Sequence, residues 1–351
     1  MKILLFISKL HNGGGERVAS ILLTHLCKKH DVEVAVFNKN EKSYPIDDKI
    51  KITDLSQGKK IRPYQLDRIV KCRKAIKRIN PDLIISFLVG LNSFVVPANF
   101  FIRKKLILSE QTTIQAKQKI SRIITRHILY RFASKVVFVS KSDCVYARWL
   151  KNGAFIYNPL SCDTITNNSI REKSIVAVSS QRRWYVKGFD LLIQAWAKIA
   201  PQHPDWRVQF IGTNDDNKIS SMVKDFGLEN QVDFLGWTNE IDKILQTKSI
   251  YVLSSRREGF PCSLIEAMSQ GCACVAFDCK TGPDEIITNG KSGLLARNGD
   301  IVDLAGKLQL LIENETLRQK LSAGAVEEVK RFDKELIMKQ WDELIQSTIE
   351  S

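Results

Sequence analysis

Apolar residues along this chain follow two alternating patterns, short near-continuous runs and longer stretches in which they recur three and four positions apart. The runs at 3–7, 32–37, 82–87, 105–108, 175–179 and 249–255 read as buried strands. Between them, spacings such as Val18, Ile21, Leu22 and Leu26 read as one-sided helices. Strand and helix alternate throughout, which predicts two doubly wound α/β domains rather than an all-β or bundle architecture. A polar stretch at 158–173, rich in Asn, Thr and Ser, separates a strand ending at Tyr157 from a new one at Ile175 and marks the boundary. The expected organisation is therefore a first domain over 1–160, a second over 161–332, and a terminal helix over 333–351 carrying Leu336, Ile337, Trp341, Leu344 and Ile345 at helical spacing.

Residues 83–102 carry no charge and are followed by Arg103, Lys104 and Lys105, the outline of a membrane span. Ser86, Gly90, Asn92, Ser93, Pro97 and Asn99 interrupt it, so a buried strand followed by a short helix is the better account. The apolar run at the N-terminus is too short for a secretory signal, and the expected location is cytoplasmic.

The chain has 351 residues, 44% of them hydrophobic, as an ordinary two-domain globular protein would. Its net charge of +15 is unevenly placed. Residues 59–141 hold 19 Lys and Arg against Asp67, Asp82 and Glu110, so the basic excess belongs to the first domain. On one predicted helix Leu66, Ile69, Val70, Ile76 and Ile79 lie opposite Lys71, Lys74, Lys77 and Arg78. On another, Ile120, Ile123, Ile124 and Ile128 alternate with Arg122, Arg126 and Arg131. Either is a core helix with a solvated basic back or a segment for an anionic membrane surface, and the concentration of charge favours the membrane. Zinc-finger spacing and other nucleic-acid signatures do not accompany the basic run, so no specific nucleic-acid partner is expected. Cys272, Cys274 and Cys279 lack the spacing of a zinc site and read as reduced packing residues.

The densest chemistry lies in Ser254-Ser255-Arg256-Arg257-Glu258-Gly259-Phe260-Pro261-Cys262-Ser263-Leu264-Ile265-Glu266. A strand ends before it and a helix begins within it, so Glu258 falls in a loop and Glu266 in the first turns of the helix. Free N–H groups at a helix start suit a diphosphate, and carboxylates suit hydroxyl-rich groups, a combination fitting a sugar nucleotide. The plain alternative is a capping box between Ser263 and Glu266, which needs no ligand. Gly13-Gly14-Gly15 follows the first strand and lets backbone approach a phosphate or sugar. Its spacing is not that of a dinucleotide fingerprint, and the second strand ends at Asn38 rather than an acid, which argues against NAD. Gly290-Lys291-Ser292 lacks the first glycine of a P-loop, with Glu285 in its place.

These stretches together resemble the retaining glycosyltransferases of family 4, whose signature is two glutamates separated by seven residues on a GT-B fold of two Rossmann-like domains facing a central cleft. Ser180-Gln181-Arg182-Arg183-Trp184-Tyr185-Val186-Lys187-Gly188-Phe189-Asp190 is similar to the family's Gly-Arg-x-x-x-x-Lys-Gly-x-Asp segment, with Gln181 where the family has glycine. The resemblance implies that Arg182 and Lys187 bind the diphosphate, whose growing negative charge fixed cations stabilise. It implies further that Glu258 holds sugar hydroxyls, that Glu266 holds the ribose, and that Phe260, Pro261, Cys262, Ser263 and Leu264 line the donor. Gly14 and Gly15 would face the donor from the first domain. Val232-Asp233-Phe234-Leu235-Gly236-Trp237 resembles the strand and loop, here at Gly236, that hold the base. Gly282-Pro283-Asp284-Glu285 resembles the closing turn. The last helix of such proteins crosses back onto the first domain.

Phe87 stands where many relatives have a histidine, and His11 beside the glycine loop is the nearest replacement in sequence. Ser109-Glu110-Gln111 resembles a Ser-Glu-Arg segment of a subgroup acting on bacterial surface glycans, which makes Glu110 a substrate-side candidate beside the alternative of a helix-start acid. The resemblance thus implies transfer of a sugar, UDP-linked, to a glycan or polyprenyl-diphosphate-linked acceptor in bacterial surface polysaccharide synthesis, with retention. It implies no obligatory cofactor or metal beyond the nucleotide-sugar donor, and action at the inner face of the cell membrane. A non-catalytic nucleotide-sugar-binding subunit and a GT-B epimerase or phosphorylase are the alternatives.

Overall fold

The computed structural model describes all residues except 12, 39–43, 57–63, 116–118, 166–170 and 215–216, and, of the described residues, all side chains but those of Gln181 and Asn217. Part of the polar stretch 158–173, four of the counted cations (Lys59, Lys60, Arg62 and Lys117) and the side chain of Gln181 thus lie outside the described residues. The chain divides into two compact units, Met1–Ser161 with Lys334–Ser351, and Cys162–Asp333.

In the first unit β1 (Lys2–Ile7), β2 (Asp31–Val36), β3 (Lys51–Asp54), β4 (Leu83–Phe87), β5 (Lys105–Glu110), β6 (Lys135–Phe138) and β7 (Gly153–Phe155) form one parallel sheet, ordered β3-β2-β1-β4-β5-β6-β7. Its helices are α1 (Gly14–Leu26), α2 (Tyr64–Ile79), α3 (Val89–Asn99), α4 (Ile120–His127) and α5 (Lys141–Tyr146). In the second unit β8 (Glu172–Val178), β9 (Arg207–Ile211), β10 (Val232–Gly236), β11 (Lys248–Leu253), β12 (Ala273–Asp278) and β13 (Leu294–Arg297) form a parallel sheet ordered β10-β9-β8-β11-β12-β13. Around it stand α6 (Phe189–Ile199), α7 (Asn217–Asp225), α8 (Ile241–Thr247), α9 (Cys262–Ser269), α10 (Pro283–Ile286), α11 (Ile301–Glu313) and α12 (Glu315–Glu328). The central strands are continuous apolar runs because helices cover both faces of a parallel sheet. Every residue of β11 is buried, as are Ile3 to Ile7 of β1.

The uncharged run 83–102 folds as β4, a turn and the eleven-residue α3, and no helix among the described residues is long and apolar enough to cross a membrane. Cys272 immediately precedes β12 and Cys274 lies within it, and all eight cysteines are free thiols. Burial pushes the Cys272 thiol up to about 12, so it stays protonated and behaves as a packing group.

Of the two basic helices, α2 keeps to the core: Ile76 and Ile79 are buried, Lys71 pairs with Asp67 at 3.2 Å, and Arg78 pairs with Glu33 at 2.8 Å. Two of its four outward cations are therefore already neutralised, which weakens the reading of α2 as a membrane segment. In α4 the expected outward Arg126 is instead buried.

The terminal helix α13 (Lys334–Glu350) belongs to the first unit and buries Ile337, Met338, Trp341 and Ile345, while Leu336 is exposed. The Trp341 ring stacks on Phe87 at 6.3 Å, and Asp342 accepts from His25 at 3.0 Å and Lys29 at 3.1 Å. Trp341→Ala is expected to destabilise the first unit by about 3–5 kcal/mol, the usual cost of emptying an aromatic site. A urea midpoint unchanged by the substitution would show that α13 does not share this core.

Candidate active site

In the second unit the chain winds outward from β8 through β9 to β10, then returns to β11 and winds the other way. The order of the sheet therefore reverses between β8 and β11. The carboxyl ends of two such strands open a crevice that loops do not cross, the usual ligand position of a doubly wound sheet. The loops leaving these two strands are 179–188 and 254–261, which hold the lysine and the first glutamate singled out by sequence.

Three contacts lock these loops together. Ser254 donates its hydroxyl to the Lys187 carbonyl at 2.9 Å, and the Arg256 backbone N–H donates to the Val186 carbonyl at 2.9 Å. Gly188 has φ of +66°, and a Cβ built there would lie 1.9 Å from the Ser254 carbonyl oxygen, so no side chain fits. Arg256 then clamps the outside: its guanidinium holds both carboxylate oxygens of Asp190 at 2.8 and 2.6 Å and lies 4.0 Å from the Tyr185 ring centre. A bidentate, stacked guanidinium is a geometric fixture that a lysine would not reproduce.

The result is that Lys187 Nζ donates to Glu258 Oε1 at 2.7 Å, both side chains largely buried. Glu258 is also held from behind, since its carbonyl accepts the Thr281 hydroxyl. Gly282, at φ of +97°, sits so close to Pro261 that a Cβ would approach its Cδ to 2.7 Å. Arg182 occupies the exposed turn Gln181–Arg183, and the ion pair of Glu258 is made with Lys187.

Pro261 precedes the first turn of α9, and no side chain caps it. The Ser263–Glu266 capping box does not form, because Ser263 is already inside the helix and its hydroxyl accepts from the Tyr251 phenol at 2.8 Å. Glu266 comes one turn into α9 and is buried. Phe260 packs edge-on against Phe332 at 5.3 Å, Cys262 is half-buried, and Leu264 is wholly buried. Leu264 thus serves the core with its side chain. Gly236 ends β10 at φ of +67°, where its carbonyl accepts from Gly212 N–H at 2.6 Å and its N–H donates to the Thr213 carbonyl at 3.2 Å. These bonds zip the loops of β9 and β10 together.

In the first unit the order reverses between β1 and β4. The glycine loop follows β1, and Gly14 and Gly15 open α1 behind Gly13 as N-cap. A Cβ on Gly15 would lie 3.4 Å from Gln111 and 3.5 Å from Leu88, so the loops after β1, β4 and β5 meet there. Asp143 supports the last of these by accepting from Thr113 at 3.0 Å and Gln115 at 3.2 Å. Burial raises its carboxyl to about 6, against those hydrogen bonds.

Glu110 is the other first-domain residue singled out by sequence. It ends β5 rather than starting a helix, and its side chain is wholly buried. One oxygen accepts from Arg126 at 3.0 Å and Tyr130 at 2.6 Å, the other from the Thr112 hydroxyl at 2.7 Å. With both oxygens taken, it is an anchor. Phe87 is buried against Trp341, and His11 is buried as well. The sequence reading missed the Arg256–Asp190 clamp. Only the presence of Asp190 in the lysine-glycine motif hinted at it, since its partner lies 66 residues away.

Residues 163–328 match the family model for glycosyl transferases group 1. The chain is 28% identical to the GalNAc-alpha-(1->4)-GalNAc-alpha-(1->3)-diNAcBac-PP-undecaprenol alpha-1,4-N-acetyl-D-galactosaminyltransferase of Campylobacter jejuni, over 98% of both chains. It is 26% identical to the amylovoran biosynthesis glycosyltransferase AmsD of Erwinia amylovora, over 98% of this chain and 99% of that one. The fold is similar to that of HepE from Anabaena, solved in complex with UDP and glucose, with a TM-score of 0.86, 21% identity, and coverage of 99% and 100%. The two Rossmann-like sheets are those of a GT-B fold, and the stretch 163–328, which is most of the second unit, is similar to the glycosyl transferases of group 1.

Proposed function

We propose that this protein is a retaining, family 4 type glycosyltransferase that moves a sugar from a UDP-sugar to a glycan carried on polyprenyl diphosphate, in bacterial surface polysaccharide synthesis. The observation that carries the reading is the Lys187–Glu258 pair at the switch point of the second sheet, beside the start of α9. In the reaction the bond between the anomeric carbon and the diphosphate breaks, and the electron pair leaves with the diphosphate. Lys187, Arg182 and the N–H groups opening α9 stabilise that charge. Glu258 accepts hydrogen bonds from sugar hydroxyls, Glu266 from the ribose, and backbone around Gly236 from the base. The acceptor hydroxyl bonds to the same face of the anomeric carbon and passes its proton to the departing diphosphate oxygen. No residue is assigned as a protein nucleophile.

The terminal helix 333–351 braces the first domain. The Campylobacter relative's name specifies an undecaprenol-diphosphate acceptor, and the HepE structure holds UDP, which supports the acceptor and donor classes for this chain. Such an acceptor is embedded in the cytoplasmic leaflet, so the protein works as a peripheral enzyme at the inner face of the membrane.

Two outcomes are expected. In a thermal-shift series of nucleotides, UDP raises the melting temperature more than GDP or ADP by mass action. Equal or absent shifts would overturn the donor assignment. Lys187→Ala and Glu258→Ala each abolish transfer of sugar from the donor so identified. Because each leaves a largely buried charge without its partner, each also costs about 3 kcal/mol or more of stability. Lys187→Met with Glu258→Gln recovers most of that stability and remains inactive. Activity in the double variant would remove both residues from the mechanism.

A further inference from the structure

We propose that α4 is the membrane contact of this protein, its isoleucine face lying among the headgroups and upper acyl chains of an anionic bilayer. The inference deepens the proposed function, since it rests on a lipid-linked acceptor, and it assigns the docking to one helix.

The polarity of α4 is inside out. Ile120, Ile123, Ile124 and, just beyond the helix, Ile128 are 76%, 43%, 48% and 54% exposed, while Arg126 is 3% exposed. This rotation is fixed from within. Arg126 Nε donates to Glu110 at 3.0 Å, its Nη2 donates to the Thr112 hydroxyl at 2.9 Å, and Tyr130 shares the same Glu110 oxygen. Rolling the helix to bury the isoleucines would strip a buried carboxylate of its guanidinium, so the apolar face stays outward.

The turn at 100–103 continues this face. Phe101 is 87% exposed and Phe132 61%, and the Phe100 ring meets Phe132 edge-on at 5.0 Å. Phe101 and Arg103 both hold positive φ, at 64° and 60°, a conformation unfavourable for such side chains. That strain is spent on holding an aromatic ring in solvent, which makes sense where the ring has an apolar phase to enter.

Charge identifies the occupant. Lys119, Arg122 and Arg131 are exposed around the isoleucines, and Arg103 stands beside Phe101. From 111 to 142 the sequence has no Asp or Glu. An apolar stripe flanked by exposed cations fits anionic phospholipid. It does not fit a second copy in two-fold pairing, which would set the same cations against each other.

The test is sedimentation with vesicles of equal parts phosphatidylglycerol and phosphatidylethanolamine, beside vesicles of phosphatidylcholine alone, using the full chain. The wild type is expected to bind the anionic vesicles and largely ignore the neutral ones. Ile123→Glu with Ile124→Glu should weaken binding about tenfold or more while leaving the melting temperature and the UDP shift unchanged, because both side chains are exposed. Lys74→Gln with Lys77→Gln on α2 should retain binding. Undiminished binding by the isoleucine variant, or equal binding of the wild type to neutral vesicles, overturns the inference. So does a wild-type dimer that the isoleucine variant converts to monomer. A wild type that binds anionic vesicles through α4 but shows no UDP shift would leave the docking face standing and sink the donor assignment instead.

Discussion

The second domain is organised around one ion pair, Lys187 with Glu258 at 2.7 Å, formed between residues 71 apart in sequence. Neither charge has enough water around it to stand alone, so each requires the other. Everything nearby keeps them in register: Gly188 allows the two loops to touch, Ser254 and Arg256 bond across them, and Arg256 ties the assembly to α6 through Asp190. A site held this way is preorganised. On the proposed function, its ammonium would be in place for a diphosphate and its carboxylate for sugar hydroxyls before the donor arrives.

The first domain repeats the same physics for a different end. Glu110 at the end of β5 gathers Arg126, Tyr130 and Thr112, and the pair fixes how α4 is turned. In one domain the buried pair sits where ligand chemistry is expected; in the other it turns a helix's apolar side to the solvent. In both, the visible consequence of the buried pair is geometric, since it holds two elements in register.

Much of this was legible in the chain. Continuous apolar runs located β1, β2, β4, β5 and β11 to within two residues at either end and β8 with its start three residues late, because strands covered on both faces leave few polar positions, and helical spacing located α1 and α13. The position of Glu258 in a loop and Glu266 in the helix followed from Pro261 and the apolar run after it. What could not be read were pairings across distance. Arg126 falls on the polar side of an amphipathic pattern and so reads as outward, yet Glu110 sixteen residues earlier draws it inward and reverses the helix. Asp190 and Arg256 lie in different motifs, and nothing local in either reveals the clamp. Ser263 and Glu266 match a capping box in spacing, but the helix starts two residues too early for Ser263 to cap it.

The central claim is that Lys187 is the cation for the donor's diphosphate and is held in reserve by Glu258. It is tested most directly by calorimetric titration of UDP, without a sugar, into the wild type and Glu258→Gln. If the claim holds, removing the carboxylate charge frees the ammonium, and UDP binds Glu258→Gln at least as tightly as the wild type even though transfer is lost. If UDP binding to a folded Glu258→Gln collapses, the pair is a structural bridge and the diphosphate is held elsewhere.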